Sequence, residues 1–496
     1  MTSGKRLTRN ALMAVAQVVV SGGVLFLLYR YLLHTIGSEQ VGLWSLVLAA
    51  ASASRIGELG LSASAVKYTA KYLARGEEGK VSEVIQTTAI AIGVMVACVL
   101  GAGYPLIAWL LERTVPAGYI ADALAVVPYA MASAWIATLA GVYLSALDGC
   151  QRIDLRAQAS MLSSVLLLAL TWLLVPRWGL IGLAWAQIGQ AVAILLGSWV
   201  LLRGEVPSLS LSWRNWNFSR LREMFRYGFN FQVVSIFGML VDPVIKGLMT
   251  KFGGLTPMAY FEMANRMVAQ FRALPIAANQ VVVPQVATLH ENAPEDIGKV
   301  YLDSYRAIFF LALPMYAGLV AVAPLVSELW IGHYEQDFFA YVVLVAMAYL
   351  INTLAGPAYF VNLGTGHLRW NMWSFVVTAA FSGMLGYWLG SSLGGTGVAW
   401  GYALGTVAGS ALVVVGYHRD QGMPFTSMLP AESKLLLLAC CLGLAAAWIS
   451  FNSVEALMGP LAQAAFSSAV FCAVILPSLW VHPLGKRIRS GFVFHA

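Results

Sequence analysis

The feature that most constrains this chain is a long succession of apolar stretches, each long enough to cross a lipid bilayer as an α-helix. About 20 apolar residues are needed for one crossing. Fourteen such stretches follow one another, at about 11–34, 41–62, 84–111, 118–147, 157–176, 179–202, 227–250, 256–288, 303–326, 338–363, 370–390, 395–417, 434–451 and 460–482. The pattern predicts an all-α polytopic membrane protein with 14 transmembrane helices.

The composition agrees with a membrane protein. Of the 496 residues, 59% are hydrophobic and only 11% are charged. Because a soluble protein carries about 25% charged residues, this composition excludes a water-soluble enzyme. The first stretch is longer than the apolar region of a signal peptide and lacks a cleavage motif, so we expect it to remain in the mature protein as a transmembrane helix. The five cysteines lack the spacing of a disulfide framework or a zinc site and are expected to be small core residues.

The basic residues predict the orientation of the chain, because short cytoplasmic loops retain Lys and Arg. With the N-terminus in the cytoplasm, 22 of the 30 Lys and Arg residues fall in inside segments, and only Arg113, Arg177 and Lys251 fall outside. The remaining five lie within spans. Both termini are therefore predicted to be cytoplasmic. The net charge of +7 reflects this asymmetry and indicates no nucleic-acid partner, and the basic loops are expected to contact anionic membrane lipids.

An internal repeat is visible in the sequence. The sixth span opens with GLIGLAW and the twelfth with GGTGVAW, and their first glycines, Gly179 and Gly394, lie 215 residues apart. Arg55 in the second span and Arg272 in the eighth are related by nearly the same offset, 217. Because six is even, two six-helix halves enter the membrane in the same direction as parallel repeats. The predicted architecture is two such lobes around a central cavity, with two extra C-terminal helices.

This repeat predicts the domain organisation. An N-lobe with the first six helices occupies residues 1–202, and a C-lobe with the next six occupies 227–417. A cytoplasmic linker at 203–226 joins them and ends in a basic amphipathic stretch that we expect on the membrane surface. Residues 418–496 hold the last two helices and a cytoplasmic tail.

Two segments resemble a known transporter family. The segment YFEMANRMVAQFRALPIAANQVVVPQVATLHE at 260–291 resembles a pattern of the MOP flippase superfamily, in which Y-x-x-A-x-R is followed by P and by V-x-x-P-x-x-A-x-L. GELGLSASAVKYTAKYLARG at 57–76 is similar to a segment of its polysaccharide branch, the Wzx-type O-antigen and capsule oligosaccharide flippases. The predicted number of fourteen spans is also similar to that of this branch, or of the related lipid II flippases, whereas MATE exporters have twelve.

The resemblance implies a multi-pass protein of the bacterial inner membrane that translocates a polyprenyl-pyrophosphate-linked oligosaccharide. Its partners would be this lipid-linked substrate, the surrounding lipids, and the polysaccharide polymerase and glycosyltransferases of the same pathway. We expect the halves of such a flippase to rock about a central site in alternating access.

Ionisable side chains at bilayer depth are costly, so each one is a candidate for function. The charged residues predicted within the spans are Arg30, Arg55, Glu58, Asp242, Lys246, Glu262, Arg266 and Arg272. Arg30 lies between two tyrosines at the outer end of the first span and is expected to snorkel to the interface. The others carry one net positive charge, which suits an anionic head group, whereas an exporter of cations is expected to have an acidic interior.

Arg55 and Arg272 are predicted to bind the substrate. Both lie about 15–16 residues from the outer starts of their spans, ~22–24 Å at 1.5 Å per residue, in the inner half of the bilayer. Guanidinium groups bind phosphate oxygens in bidentate pairs and stay charged when they are desolvated. Two of them from opposite lobes would capture a pyrophosphate. The alternative for Arg55 is an ion pair with Glu58, three residues further on.

Four charged residues near the apex between the seventh and eighth spans form a second candidate group. Asp242 and Lys246 are four residues apart on one span, and Glu262 and Arg266 are four apart on the next. Matching depths predict ion pairs between the spans, Lys246 with Glu262 and Asp242 with Arg266. These pairs either lock the hairpin or exchange with the substrate, through Lys246 and Arg266, or with a coupling ion, for which Glu58, Asp242 and Glu262 are candidates.

Motifs for catalysis are missing from the sequence. No Walker A, HExxH or CxxC motif occurs, so no catalytic residue, cofactor or metal ion is predicted. The alternatives among transporters are a lipid II flippase and a MATE-type cation-coupled exporter; the enzymatic alternative is a glycan polymerase or ligase, which needs a large periplasmic loop. Polar and aromatic residues in the spans either contact sugars or hydrogen-bond between helices: Trp44, Gln232, Asn265, Gln270, Asn279, Gln280 and Gln285.

Overall fold

The computed structural model describes residues 3–58, 60–209, 216–280, 282–454 and 458–489. These residues form α-helices joined by short turns and 3-10 segments, and no β-strand occurs among them. The predicted all-α class is therefore confirmed. Residues 210–215 of the predicted linker, with Arg214, lie outside the described residues, and so does the side chain of Gln232. The chain forms two compact units, Met1–Ala259 and Tyr260–Ala496.

The N-terminal unit is built from long apolar helices. They are α1 (Ser3–Thr35), α2 (Gly37–Ser52), α3 (Leu61–Ala74), α4 (Glu78–Thr114), α5 (Ile120–Gly149), α6 (Ile153–Glu205) and α7 (Phe218–Gly253). Leu61, Ile85 and Leu147 are fully buried in a core that α3, α4 and α5 share. Large apolar side chains such as Leu106 and Trp172 are more than half exposed. Helices that are apolar on all sides suit a membrane, where the outer surface meets lipid.

The C-terminal unit follows the same plan. Its helices are α8 (Leu255–Gln280), which begins just before the boundary of the unit, α9 (Val282–Asn292), α10 (Ile297–Trp330), α11 (Gln336–Leu354), α12 (Gly356–Thr365), α13 (Arg369–Gln421), α14 (Lys434–Ser453), α15 (Pro460–Val481) and α16 (Pro483–Arg489). Tyr301, Tyr305, Phe309 and Cys440 are buried in its core. The last long hairpin, α14 with α15, packs on α10.

The helices account for the predicted spans. Within the described residues, nine helices are long and apolar enough to cross a membrane, or ten when the bent pair Gly37–Glu58 and Leu61–Ala74 is taken as one crossing. Two of them, α6 and α13, are 53 residues long and each hold two predicted spans. The charged helices α7 and α8, with 36 and 26 residues, are also long enough for one crossing each. The fold therefore agrees with fourteen predicted crossings.

The two 53-residue helices reproduce the repeat found in the sequence. Each is a pair of helices joined at one glycine with non-helical angles, Gly179 (φ 51°, ψ −128°) in α6 and Gly394 (φ 65°, ψ −144°) in α13. A positive φ of this kind favours glycine, because a Cβ atom would clash with the backbone. Since the two turns lie at the predicted offset of 215, the predicted repeat of this hairpin is confirmed.

Glycines also bring the two arms of each hairpin together. A Cβ atom added at Gly182 would lie 2.5 Å from the carbonyl oxygen of Leu174, and one added at Gly397 would lie 2.1 Å from that of Leu389. The contacts are again related by 215 residues. The glycines of the two repeated motifs therefore permit close backbone packing within each hairpin.

The second predicted span is not a continuous helix. After α2 the chain forms a 3-10 segment, Ala53–Glu58, and Gly60 (φ 73°) then starts α3. The bend between the two parts is 49°. Irregular backbone at membrane depth is tolerated where it lies within protein or lines a cavity. Arg55 and Glu58, both predicted site residues, lie on this irregular segment.

The helices on either side of the predicted linker both extend into it. The helix α6 extends to Glu205, and α7 begins at Phe218. The Asn217 side chain caps α7 by accepting hydrogen bonds from the backbone N–H groups of Ser219 and Arg220. The basic amphipathic stretch is thus the first part of α7. The predicted domain boundaries stay predictions.

Candidate functional site

Arg55 forms an ion pair on the 3-10 segment of the N-terminal unit. Its Nε atom donates to Oε1 of Glu58 at 2.9 Å, and the Ser62 hydroxyl donates to Oε2 of the same carboxylate at 2.9 Å. The Arg55 side chain is 60% exposed, whereas that of Glu58 is 11% exposed. The alternative that the sequence offered, the pair three residues apart, is therefore present, and the charge of Arg55 is compensated locally.

Lys246 lies beside a carboxylate of its own helix. Its Nζ atom is 2.9 Å from Oδ2 of Asp242, one turn earlier on α7. Only 3% of the Lys246 side chain is exposed, against 45% for Asp242. Pro243, inside the same helix, lacks a backbone N–H donor. The buried ammonium group is thus compensated by a carboxylate that faces a more open environment.

Glu262 and Arg266 form the matching pair on α8. The Arg266 Nε atom donates to Oε1 of Glu262 at 2.7 Å, and here the carboxylate is the buried partner, with 1% exposure against 47% for Arg266. The predicted charges therefore pair along each helix, four residues apart. Pairing between α7 and α8 stays a prediction.

Arg272 differs from these three cations, because its partners are neutral. Its Nη2 atom donates to Oδ1 of Asn352 at 2.6 Å, and its Cζ atom lies 4.9 Å from the centre of the Tyr349 ring. No carboxylate of the described residues forms an ion pair with it. Its Nε atom is buried and has no hydrogen-bond acceptor in the described part of the chain. Among the described residues, Arg272 therefore has no carboxylate that compensates its positive charge, and most of its N–H donors have no acceptor.

A network of neutral polar side chains holds the surroundings of Arg272. The Asn352 Nδ2 atom donates to the Ser410 hydroxyl at 2.9 Å, and Ser410 donates to the carbonyl of Thr406 at 2.7 Å. Because these residues belong to α11 and α13, the network ties Arg272 on α8 to two other helices of the C-terminal unit. Such bonds between spans are a common means of fixing helix positions in a membrane.

Three tyrosines, Tyr316, Tyr349 and Tyr402, form the second part of the surroundings of Arg272, and we call them the tyrosine group. The Tyr349 hydroxyl donates to Oδ1 of Asn265 at 3.0 Å and lies 2.9 Å from the hydroxyl of Tyr402. The hydroxyl groups of Tyr316 and Thr353 are hydrogen-bonded to each other at 2.8 Å. Asn265, one of the polar residues singled out in the sequence, thus makes a hydrogen bond between helices.

This arrangement can bind an oxyanion. A guanidinium group has five N–H donors, and the described residues accept only one of those of Arg272. The remaining donors on the two Nη atoms are suited to phosphate oxygens, and because Arg272 is partly buried, their attraction to an anion is stronger than in bulk solvent. The tyrosine ring below the guanidinium adds a cation–π contact without neutralising the charge.

Sequence reasoning named Arg272 but missed its neighbours. Tyr402, Thr406 and Ser410 recur every four residues, which places them on one face of α13, and Tyr349 and Asn352 are similarly one turn apart on α11. Polar residues repeated at helical spacing inside apolar spans are the signal that could have identified them.

The candidate carboxylates do not assemble into a metal site. In the part of the chain that the structure describes, no group of three or more His, Cys, Asp or Glu side chains is close enough to hold a metal ion. Glu58, Asp242 and Glu262 each have a basic partner on the same segment or helix. A coupling ion that binds one of these carboxylates would therefore have to replace its basic partner.

Comparison with solved structures identifies the fold. The lipid II flippase MurJ in an inward closed conformation is similar with a TM-score of 0.69 and 14% identity, over 97% of this chain and 100% of MurJ. An inward-facing multidrug resistance MATE transporter of the MOP superfamily has a TM-score of 0.66 and 16% identity, over 82% of this chain and 94% of its own. A MOP superfamily transporter from Pyrococcus furiosus has a TM-score of 0.60 and 16% identity, over 85% of this chain and 98% of its own.

Sequence comparison identifies the family. No curated protein sequence matches the chain significantly. The sequence profile of a family described as polysaccharide biosynthesis protein matches residues 41–336, which is more than half of the chain and includes every predicted site residue. The fold is that of MOP superfamily transporters, as the resemblance of 57–76 and 260–291 implied. The chain belongs to the polysaccharide biosynthesis protein family.

Proposed function

We propose that this protein is a flippase that moves a polyprenyl-pyrophosphate-linked oligosaccharide, the unit of an O-antigen, capsule or exopolysaccharide, across the bacterial inner membrane. The observation that carries the proposal is the uncompensated guanidinium of Arg272, with its neutral partners Asn352 and Tyr349. A pyrophosphate supplies the missing negative charge and the missing acceptors. The family of the chain and its transporter fold support the proposal.

In this proposal the substrate enters from the cytoplasmic leaflet. Its pyrophosphate binds Arg272, its sugars occupy a polar cavity and its polyprenyl tail remains in the bilayer. Arg55, Arg266 and Lys246 are further substrate-binding candidates once their carboxylates are displaced or protonated. Alternating access then releases the substrate on the periplasmic side. Both termini are cytoplasmic, and the glycosyltransferases and polymerase of the same pathway act before and after the flippase.

Glu58, Asp242 and Glu262 are the proposed ion-coupling residues. Each one forms an ion pair with a basic residue of its own segment. Protonation of the carboxylate breaks the pair and frees the basic group for the substrate. Proton movement and substrate binding are coupled in this way, and a sodium ion that binds the carboxylate would displace the basic group likewise.

A second candidate is a lipid II flippase. It is favoured by the match to MurJ along nearly the whole of both chains. Lipid II also carries a polyprenyl pyrophosphate, so Arg272 suits it equally. A complementation experiment distinguishes the two candidates. A lipid II flippase restores growth to cells that are depleted of their own lipid II flippase, and a polysaccharide flippase does not.

Replacement of Arg272 tests the proposal. In cells lacking the gene, Arg272→Ala is expected to abolish surface polysaccharide at an unchanged level of protein in the membrane, and Arg272→Lys, which keeps the charge but loses the planar fork, is expected to restore part of it. Arg30→Ala is the control, because Arg30 is exposed at the end of α1. Full surface polysaccharide with both Arg272 variants would overturn the proposal.

A further inference from the structure

We propose that Asn352 determines the specificity of the site by holding Arg272 without neutralising it. This inference rests on the proposed function and adds a positioning residue to it. An amide oxygen accepts a hydrogen bond from the guanidinium as a carboxylate does, but it brings no negative charge. Asn352 thus fixes the direction of Arg272 and leaves its charge for the phosphate groups of the substrate.

The other three basic residues proposed to bind the substrate support this reading by contrast. Arg55, Lys246 and Arg266 each lie within 2.9 Å of a carboxylate oxygen. Each of those carboxylates is three or four residues away on the same segment or helix, whereas the hydrogen-bond partner of Arg272 is 80 residues away on another helix. The fold therefore brings a neutral acceptor to Arg272 from a distant part of the chain.

The hydrogen-bond network sets the orientation of the amide. Ser410 donates its hydroxyl proton to the Thr406 carbonyl, so its oxygen is left to accept a hydrogen bond. The Asn352 NH2 group donates to that oxygen at 2.9 Å, and Oδ1 therefore faces Arg272. If the Asn352 amide were flipped, its NH2 group would face the guanidinium, and two hydrogen-bond donors would then lie next to each other. Ser410 is thus a second positioning residue that acts through Asn352.

A carboxylate in place of the amide would change the charge but little of the shape. Asn352→Asp retains an acceptor 2.6 Å from Nη2 and creates an ion pair with Arg272. A negative charge this close offsets much of the attraction between the guanidinium and a phosphate group, by roughly tenfold or more in affinity. The variant is expected to be at least as stable as the wild type. A purely structural role for Asn352 predicts no such loss of affinity.

The test is a binding measurement on the full chain in nanodiscs with a polyprenyl pyrophosphate that carries no glycan. We expect Asn352→Asp to weaken binding roughly tenfold or more without lowering the thermal midpoint. Ser410→Ala should weaken it roughly two- to tenfold, because the amide loses its acceptor. Ser382→Ala is the matched control, because Ser382 is a buried serine on the other arm of the α13 hairpin. Its hydroxyl makes no hydrogen bond in the described part of the chain, and its replacement should leave binding unchanged.

The outcomes separate this inference from the proposed function. If Arg272→Ala loses binding but Asn352→Asp and Ser410→Ala bind like the wild type, the role of Asn352 is refuted and the flippase proposal stands. If Arg272→Ala itself binds like the wild type, the proposed pyrophosphate site is refuted as well. Weaker binding by Asn352→Asp together with a preserved thermal midpoint supports the role in specificity.

Discussion

The close packing inside the repeated hairpins leads to a prediction about stability. Gly397 lies where the arms of the α13 hairpin meet. A Cβ atom at this position would be 2.1 Å from the Leu389 carbonyl oxygen, 2.5 Å from its carbon and 2.9 Å from the Gly390 nitrogen. Carbon and oxygen atoms that are not bonded stay more than 3 Å apart, so Gly397→Ala forces the two arms apart by about 1 Å.

The magnitude follows from two opposing effects. Overpacking of a close contact costs about 1–3 kcal/mol, and here the atoms in the way belong to the backbone, which cannot turn aside. Alanine recovers about 0.5–1 kcal/mol as the better helix former. Because the clash is with rigid backbone, we take a cost of about 2–3 kcal/mol, in the upper part of that range, and expect Gly397→Ala to lower the free energy of unfolding by about 1–2 kcal/mol. Gly182→Ala in the first repeat should have a smaller effect, because its nearest contact is 2.5 Å.

Gly197→Ala is the matched control in α6, because no atom lies within 4 Å of the added Cβ. It should be neutral or slightly stabilising. The assay is the thermal midpoint of the purified variants in detergent, followed by tryptophan fluorescence and by loss of the monodisperse peak on size exclusion. If Gly397→Ala is as stable as Gly197→Ala, the close approach of the arms is wrong.

Two further predictions concern the N-terminal unit. Asp154→Ala should destabilise the protein by about 3 kcal/mol, because the buried carboxylate pairs with Arg9 at 2.6 Å and with Arg152 at 3.0 Å; urea or thermal unfolding measures the change. Gly60→Ala should cost about 1–2 kcal/mol in the same measurement, because Gly60 has a φ of 73° and a side chain is strained there.

Each of these two variants has a control of the same residue type. Asp303 is 62% exposed and pairs with Arg306 at 3.5 Å, so Asp303→Ala should change stability by less than about 1 kcal/mol. Gly79 has no atom within 4 Å of an added Cβ and a helical backbone, so Gly79→Ala should be neutral or stabilising. Equal effects in a variant and its control would contradict the reasoning for that pair.

Hydropathy and glycine spacing predicted most of this fold. A helix that must satisfy every backbone group within the bilayer leaves a continuous apolar stretch in the sequence, and this determines the number of crossings. The turn glycines at 179 and 394 were also visible, because a positive φ and a close backbone contact both demand glycine. The break after Ser52 was missed, although the pair Gly57 and Gly60 marks it in the sequence.

The site was predicted less completely. Charges three or four residues apart on one helix can be paired from spacing alone, and the structure has the pairs of Arg55, Lys246 and Arg266 at that spacing. The environment of Arg272 could not be predicted in this way. Asn352 and Ser410 lie 80 and 138 residues further along the chain, and only the packing of three helices brings them to the guanidinium.

The most direct test of the central claim is translocation by the purified protein in proteoliposomes. The substrate is a fluorescent saccharide linked to a polyprenyl pyrophosphate, and the measured quantity is the rate at which it reaches the opposite leaflet. We predict that the wild type and Arg30→Ala translocate it and that Arg272→Ala is at least about tenfold slower, since it loses a charged hydrogen-bond donor to phosphate. Equal rates for Arg272→Ala and the wild type would contradict the claim that Arg272 captures the pyrophosphate.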